Sequence, residues 1–395
     1  IGVICGIDRP RDVIIVMFIQ ILGLLSAAMT VDFLFQGVQR MGPVAIRQGA
    51  SALAGMIAVL IVVRDPGDVF AAAAIPFSAM LISAVLLGLY ANRRIAPMGF
   101  SFQLAGLKDV LVDSAPILLA GLMSLVFLNV DVVMLGFLRS AEEVGIYVGM
   151  GRLFVLSMFV GQIVSAAFAP ALAAAASDPD EKRATYYRHI RIIVFIGTPV
   201  CAGIIAFPDW VIKVVFGEQF IAGAPILALL VMAAMLSYAC MAPLTALVAW
   251  RDQTAQMVIL SIVAAANVVL NLWLIPVHGG IGAAIATLAA QLVMLVLLIY
   301  RVMSKFGLFG FLPAAGAILC GGAAFAAARG AISALELGDD VYAVWILPFL
   351  MVLAGTGLYM MLTYAVGVVR RADLTALIYL ARNRGAKQQE LTDGE

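Results

Sequence analysis

The sequence predicts an all-α integral membrane protein, and three observations carry that prediction. Eleven apolar stretches follow one another from about Val13 to Val369. Hydrophobic residues make up 64% of the 395-residue chain and charged residues 12%, where soluble domains hold about 45–50% and about 25%. Mean hydropathy is +1.09. The longest connection runs only from Ala91 to Val110, which leaves no room for a soluble domain. Whatever this chain does, it does within the membrane.

Taken in order, the predicted spans are 13–31, 44–63, 69–91, 111–138, 145–175, 189–208, 222–249, 254–275, 280–303, 309–328 and 343–369. A helix of about 20 residues, rising about 1.5 Å per residue, covers a hydrocarbon core of roughly 30 Å. No water reaches the backbone there, so a helix is the structure such runs adopt. The second and third spans are parted by Arg64-Asp65-Pro66-Gly67, the fifth and sixth by Asp178-Pro179-Asp180, and the eighth and ninth by Pro276 to Gly280. Pro76, Pro116, Pro170, Pro199, Pro225 and Pro243 fall within or near the ends of spans, where each bends its helix or marks its start. Bent helices serve either tight packing or a cavity. Gly and Ala crowd 314–328, a surface that allows close helix approach.

Lys and Arg set the orientation. Loops after the odd-numbered spans, with their flanks, hold Arg40, Arg47, Arg93, Arg94, Lys108, Lys182, Arg183, Arg188, Arg191, Arg251, Arg301, Lys305 and five more in the tail from Arg370 to Lys387. Arg9, Arg11, Arg64, Arg139, Lys213 and Arg329 are on the other side, and Arg152 lies within a span. The excess marks the first side as cytoplasmic, which puts the C-terminal tail inside and Ile1 outside. The chain starts with Ile1 and has no signal peptide, so a longer protein with an odd number of further helices is expected. Cys5, Cys201, Cys240 and Cys320 are isolated and only two histidines occur, a pattern without metal or haem spacing. No cofactor, metal or nucleic-acid partner is expected.

Polar groups at membrane depth need a reason, because a central charge costs about 2.5–3.5 kcal/mol on insertion scales. Asp131 and Arg152 lie on consecutive spans about a turn placed near Ala141-Glu142, so an antiparallel hairpin would bring them level as an ion pair. Two readings stay open: a structural lock, or a site where Arg152 faces an anion and Asp131 couples an ion. Asn129, Gln162, Asn267 and Asn271 add uncharged polar groups, and Asn267 and Asn271 share a helix face. They serve either interhelical hydrogen bonding or a polar cavity. Arg47, Arg188, Arg191 and Arg251 are helix-end cations, either topology determinants or a basic entrance. Arginine's planar fork suits phosphate oxygens.

Ordered motifs then add a family resemblance. Asp32-Phe33-Leu34-Phe35-Gln36-Gly37 resembles the aromatic FFQG-type signature of the polysaccharide-exporting (Wzx-type) flippases, a branch of the multidrug/oligosaccharidyl-lipid/polysaccharide exporter superfamily. Asn129-Val130-Asp131 with Gly136, Val144-Gly145-Ile146-Tyr147 with Arg152, and Pro170 are similar to its next segments. Asn267-Val268-Val269-Leu270-Asn271, then Ile275-Pro276 and Gly279-Gly280-Ile281-Gly282-Ala283-Ala284, resemble its C-terminal pattern. The chain departs at Leu34, where the family has a second aromatic, and Arg47 lies nearer the helix end than the family's basic residue.

The resemblance implies a two-lobe exporter of 14 helices, of which these spans match the fourth to fourteenth. On that reading 1–91 is the remnant of an N-terminal lobe, 92–110 a cytoplasmic linker, and 111–305 a six-helix C-terminal lobe. Residues 306–369 are two additional helices and 370–395 a cytoplasmic tail. It implies transport of undecaprenyl-pyrophosphate-linked oligosaccharide across the bacterial inner membrane, for O-antigen, capsule or exopolysaccharide. The partners it implies are the lipid-linked glycan and membrane lipid, with the polymerase and chain-length regulator as candidates. Substrate-binding candidates are Arg152, Asn129, Gln162, Asn271, Arg47 and Arg191, and Asp131 is the ion-coupling candidate. Signature positions are Phe33, Phe35, Gln36, Gly37, Gly145, Tyr147, Asn267 and Gly282. A lipid II flippase or a cation-coupled drug exporter is the alternative within this fold, and a glycan polymerase or ligase the alternative outside it.

Overall fold

The computed structural model describes residues 11–37, 42–65, 67–95, 107–307, 311–334 and 341–368. Those residues are helical almost throughout. Two compact units divide the chain, Ile1–Ala105 and Gly106–Glu395. Arg40, the core of the 92–110 linker and the tail from Arg370 lie outside the described residues.

In the first unit, α1 (Arg11–Ala28) leads through the short α2 (Asp32–Gly37) to α3 (Gly42–Val62) and α4 (Val69–Arg94). Both α1 and α3 pack along α4. Asp68 ends the loop before α4 by accepting hydrogen bonds from the Arg64 and Asp65 amides. Those two bonds hold its carboxyl below the usual range.

The second unit contains α5 (Leu107–Leu138), α6 (Ala141–Ala174), α7 (Pro179–Ala206), short α8 (Pro208–Val215), α9 (Ala224–Ala249), α10 (Gln253–Phe306), α11 (Phe311–Ala334) and α12 (Val341–Ala365). Ser140 caps α6 by accepting from the Glu143 amide at 3.3 Å. Asp178 caps α7, with Pro179 in the first helical turn. Both ends use side-chain acceptors for otherwise orphaned amides.

As a straight rod, the 54-residue α10 would be on the order of 80 Å long. It is instead a hairpin. Gly279 has φ 58° and ψ −134°, a backbone conformation L side chains rarely adopt. A Cβ on Gly282 would strike the Leu274 carbonyl, so the limbs 253–278 and 280–306 run back along each other. Their open ends are joined by Asp252, which accepts from Arg301 Nε and Nη2, both at 2.9 Å. Nine described helices are long and apolar enough to cross a membrane, and Ile14–Ala28 is a shorter apolar one. With α10 counted as two limbs, the eleven expected spans are all there, and the protein is a multi-pass membrane protein.

The second unit's core is packed through Tyr238 of α9. Its ring fills the space left by Gly161 on α6 and Gly197 on α7, where a Cβ would collide with it, and its hydroxyl donates to the Ser157 carbonyl. Small residues thus let three helices close around one large side chain. α5 packs chiefly along α10, and α6 along α9 and α7. Beyond their connecting turn, α5 and α6 therefore part and leave a cleft.

Candidate functional site

The α5–α6 cleft has a volume of about 320 Å³, with Asp131, Thr287 and Leu230 among its lining residues and Arg152 and Asn129 beside them. Asp131 is 5% exposed. Its Oδ2 accepts from the Tyr147 hydroxyl at 2.6 Å and from Thr287 Oγ1 at 2.9 Å. Its Oδ1 is buried without a hydrogen-bond partner among the described residues. Asn267 and Asn271, each 0% exposed, extend this polar cluster. Asn271 Nδ2 donates to Asn267 Oδ1 at 3.1 Å, and Asn271 approaches the Asp131 carboxyl without a regular hydrogen bond. Four helical segments therefore converge on one carboxyl in the membrane interior.

The expected Asp131–Arg152 ion pair is not formed. The turn is centred on Arg139-Ser140, between Leu138 and Ala141, earlier than the Ala141-Glu142 position read from the sequence. The residue level with Asp131 is thus near 148, and Tyr147 takes the place expected of Arg152. Arg152 lies about 6 Å further along α6 at about 1.5 Å per residue. It is exposed and lines the same cleft. It makes no ion pair among the described residues.

The other candidates scatter. Asn129 is exposed on the cleft and donates from Nδ2 to the Leu125 carbonyl at 2.9 Å. Gln162 is exposed on α6, away from the cleft lining. Arg191 is half-buried on α7. Arg47 belongs to the first unit, where its guanidinium forks onto Asp32, Nε to Oδ1 at 3.1 Å and Nη2 to Oδ2 at 2.7 Å. The motif's aspartate thus occupies this arginine, whose side chain is 8% exposed. Arg47, Gln48 and Ser51 border a groove of about 690 Å³ between α3 and α4. Phe35 is fully buried and stacks on Tyr90 at 6.1 Å. The side chains of Phe33, Gln36 and Gly37 lie outside the described residues.

Sequence reading missed Thr287, which faces Asp131 only because the hairpin reverses at Gly279. It also missed two residues that hold the reversal in place. Arg139 donates to the Ile275 carbonyl at 3.1 and 2.7 Å and to the Pro276 carbonyl at 2.8 Å. Glu143 Oε1 accepts from the Gly280 amide at 2.7 Å. The Ser140-x-x-Glu143 spacing is a capping-box signal, yet the glutamate serves the neighbouring turn instead of its own helix. Gly145 lies in the first turns of α6, two residues before Tyr147.

At the hairpin's open end, Asp252 also accepts from Lys305 Nζ at 2.9 Å. Burial pushes the Asp252 pKa up, but the hydrogen bonds and charges of Arg301 and Lys305 outweigh it and hold the group below its ordinary value. Lys182 Nζ lies over the Trp250 and Phe306 rings at 4.2 and 4.5 Å, which ties α7 to the same end. Among the described residues no group of three or more His, Cys, Asp or Glu residues is placed to hold a metal ion.

Comparison with known proteins bears out the resemblance read from the motifs. A family model described as polysaccharide biosynthesis protein matches residues 4–176. The teichuronic acid biosynthesis protein TuaB of Bacillus subtilis (strain 168) is 26% identical over 138 residues, 35% of this chain and 29% of that protein. The match thus spans under a third of that relative's length. Among solved structures, the lipid II flippase MurJ in an inward closed conformation has a TM-score of 0.66 at 15% identity, covering 89% of this chain and 72% of MurJ. An outward-facing multidrug resistance MATE transporter of the MOP superfamily scores 0.43 at 16% identity, covering 64% and 63%. The fold is that of the MurJ structure.

Proposed function

We propose that this protein is a flippase. It moves undecaprenyl-pyrophosphate-linked oligosaccharide units across the bacterial inner membrane for O-antigen, capsule or exopolysaccharide synthesis. The observation that carries the reading is the α5–α6 cleft, where an exposed Arg152, without an ion pair among the described residues, shares a membrane cavity with a buried carboxyl. An arginine at that depth is costly unless it meets an anion, and a pyrophosphate offers the oxygens its fork binds. The family match and the teichuronic acid relative support a glycan cargo.

The mechanism is alternating access without chemistry on the substrate. A hydrated sugar-pyrophosphate left in hydrocarbon would carry unmet polar groups and charge. A polar cavity removes that barrier, while the polyprenyl tail stays in the lipid. Differential binding to two conformations suffices. Asp131 is the coupling residue: its carboxyl can take up a proton, and the hydroxyl and amide oxygens beside it are of the kind that ligate a small cation. Lobes at 111–305 and 1–91, an added pair at 306–369 and a cytoplasmic C-terminus complete the reading, with the polymerase and chain-length regulator as partners. The MurJ-like fold makes lipid II the rival cargo.

The test replaces Arg152 in the complete gene. Arg152→Lys retains partial export, and Arg152→Ala loses it while the protein still inserts at normal level. Normal surface polysaccharide in the Arg152→Ala strain would refute the contact. Accumulation of peptidoglycan precursor, with surface glycan unchanged, would assign the cargo to lipid II.

A further inference from the structure

Asp131 and Arg152 are the two formally charged side chains lining the α5–α6 cleft. They are not bonded to each other, since Asp131 is held by Tyr147 and Thr287 and Arg152 makes no ion pair among the described residues. With both charged, the cleft is neutral overall. An entering pyrophosphate then gains from Arg152 and loses to Asp131. The two hydroxyls do not remove that repulsion, because they supply hydrogen bonds but no opposite charge. One carboxylate oxygen, Oδ1, has no regular hydrogen-bond partner among the described residues.

We propose that Asp131 controls the anion affinity of the cleft: it takes a pyrophosphate-bearing ligand well only when the Asp131 charge is neutralised. This inference rests on the reading of Arg152 as the anion contact and adds the order of events. The neutralising ion and the anionic cargo then load together, each raising the affinity for the other by the same factor, as linkage requires. An exporter whose cargo is a cation works the other way, with cargo and coupling ion competing for one carboxylate. The arrangement here, a carboxyl and an arginine lining one cavity, favours joint loading.

The size of the effect follows from the cavity. A space of about 320 Å³ is on the order of 9 Å across, and at an effective dielectric of about 20 a unit charge at that distance shifts binding on the order of tenfold.

The experiment measures binding to the detergent-purified protein expressed from its complete gene, using farnesyl pyrophosphate, inorganic pyrophosphate and farnesol. Asp131→Asn, which keeps size and acceptor oxygen, is expected to tighten farnesyl pyrophosphate on the order of tenfold and leave farnesol unchanged. In an Arg152→Gln background, where pyrophosphate binding starts weaker, the same substitution is expected to tighten it by a similar factor, because the repulsion from Asp131 is direct. Equal tightening of inorganic pyrophosphate assigns the effect to the headgroup, and tightening of the farnesyl form alone assigns it to the lipid-linked anion. Either result supports the proposal. Asp131→Ser carries the same test if the asparagine variant does not fold.

Unchanged or weaker binding in the neutral variants overturns the proposal, as does equal tightening of farnesol, which carries no charge. If Arg152→Gln alone leaves pyrophosphate binding intact, the underlying reading of Arg152 falls as well. If Arg152→Gln weakens binding but Asp131→Asn does nothing, only the present inference fails.

Discussion

Tyr147→Phe isolates the bond that organises the site. The substitution removes one oxygen and leaves the ring, so it opens no sizeable cavity. The lost contact is the 2.6 Å hydrogen bond to Asp131 Oδ2, on a carboxyl whose other oxygen has no partner among the described residues. Hydrogen bonds to charged groups contribute about 1.5–3 kcal/mol, whereas those between membrane helices average about 0.6 and reach about 1.7 kcal/mol. The two ranges meet near 1.5 kcal/mol, which is the expected loss. At about 2–4 °C per kcal/mol for large domains, the purified protein should melt roughly 3–6 °C lower. The assay is a thermal melt in detergent, run as a double-mutant cycle with Asp131→Leu. In that background no carboxylate remains, so the cost of Tyr147→Phe should vanish or change sign. An equal loss in both backgrounds would show that Tyr147 acts through packing, and the argument for an organised carboxyl site would fail.

Three further outcomes are expected. Gly279→Ala places a side chain at φ 58° and against Glu143 Oε1. It should cost at least about 2 kcal/mol, read as a lower melting temperature, and a neutral result would mean the hairpin turn is relaxed differently. Glu143→Gln keeps an acceptor for the Gly280 amide and should be near neutral. Glu143→Ala orphans that amide and should cost about 1–2 kcal/mol, so equal effects of the two would refute the latch. For Asp252, a folded-state pKa below its ordinary 3.8 contributes stability that is complete above about pH 4 and lost as pH falls through the lowered value. Wild type should therefore be more stable than Asp252→Asn at pH 6, the gap closing below about pH 4. A gap that does not narrow at all as pH falls below about 4 would rule out the Arg301–Lys305 link as its source.

Much of the fold was legible because membrane spans announce themselves by length and apolarity alone. Even the α10 hairpin was legible as two spans, from the Pro276 to Gly280 break between them. The candidate site was legible in its residue types and not in its pairings. A two-residue error in the position of the Arg139-Ser140 turn moved the partner of Asp131 from Tyr147 to Arg152, because each residue along a helix changes depth by about 1.5 Å and direction by roughly 100°. Arg47 reads as a helix-end cation at a basic entrance or as a topology determinant, yet Asp32 holds it, a contact set by how α2 folds back on the start of α3. Thr287 carried no signal, since a threonine in an apolar helix is ordinary until its neighbours are known.

The amino-acid sequence by itself determined that the chain lies in a membrane, how many times it crosses, and which few residues cannot be left to face lipid. Burial of uncharged backbone and side chains is a local property of each segment, so composition is enough to decide it. Only the tertiary structure decided which of those costly groups meet. That depends on turn centres, on the reversal at Gly279 and on the parting of α5 from α6, and each of these is set by contacts between residues far apart in the chain.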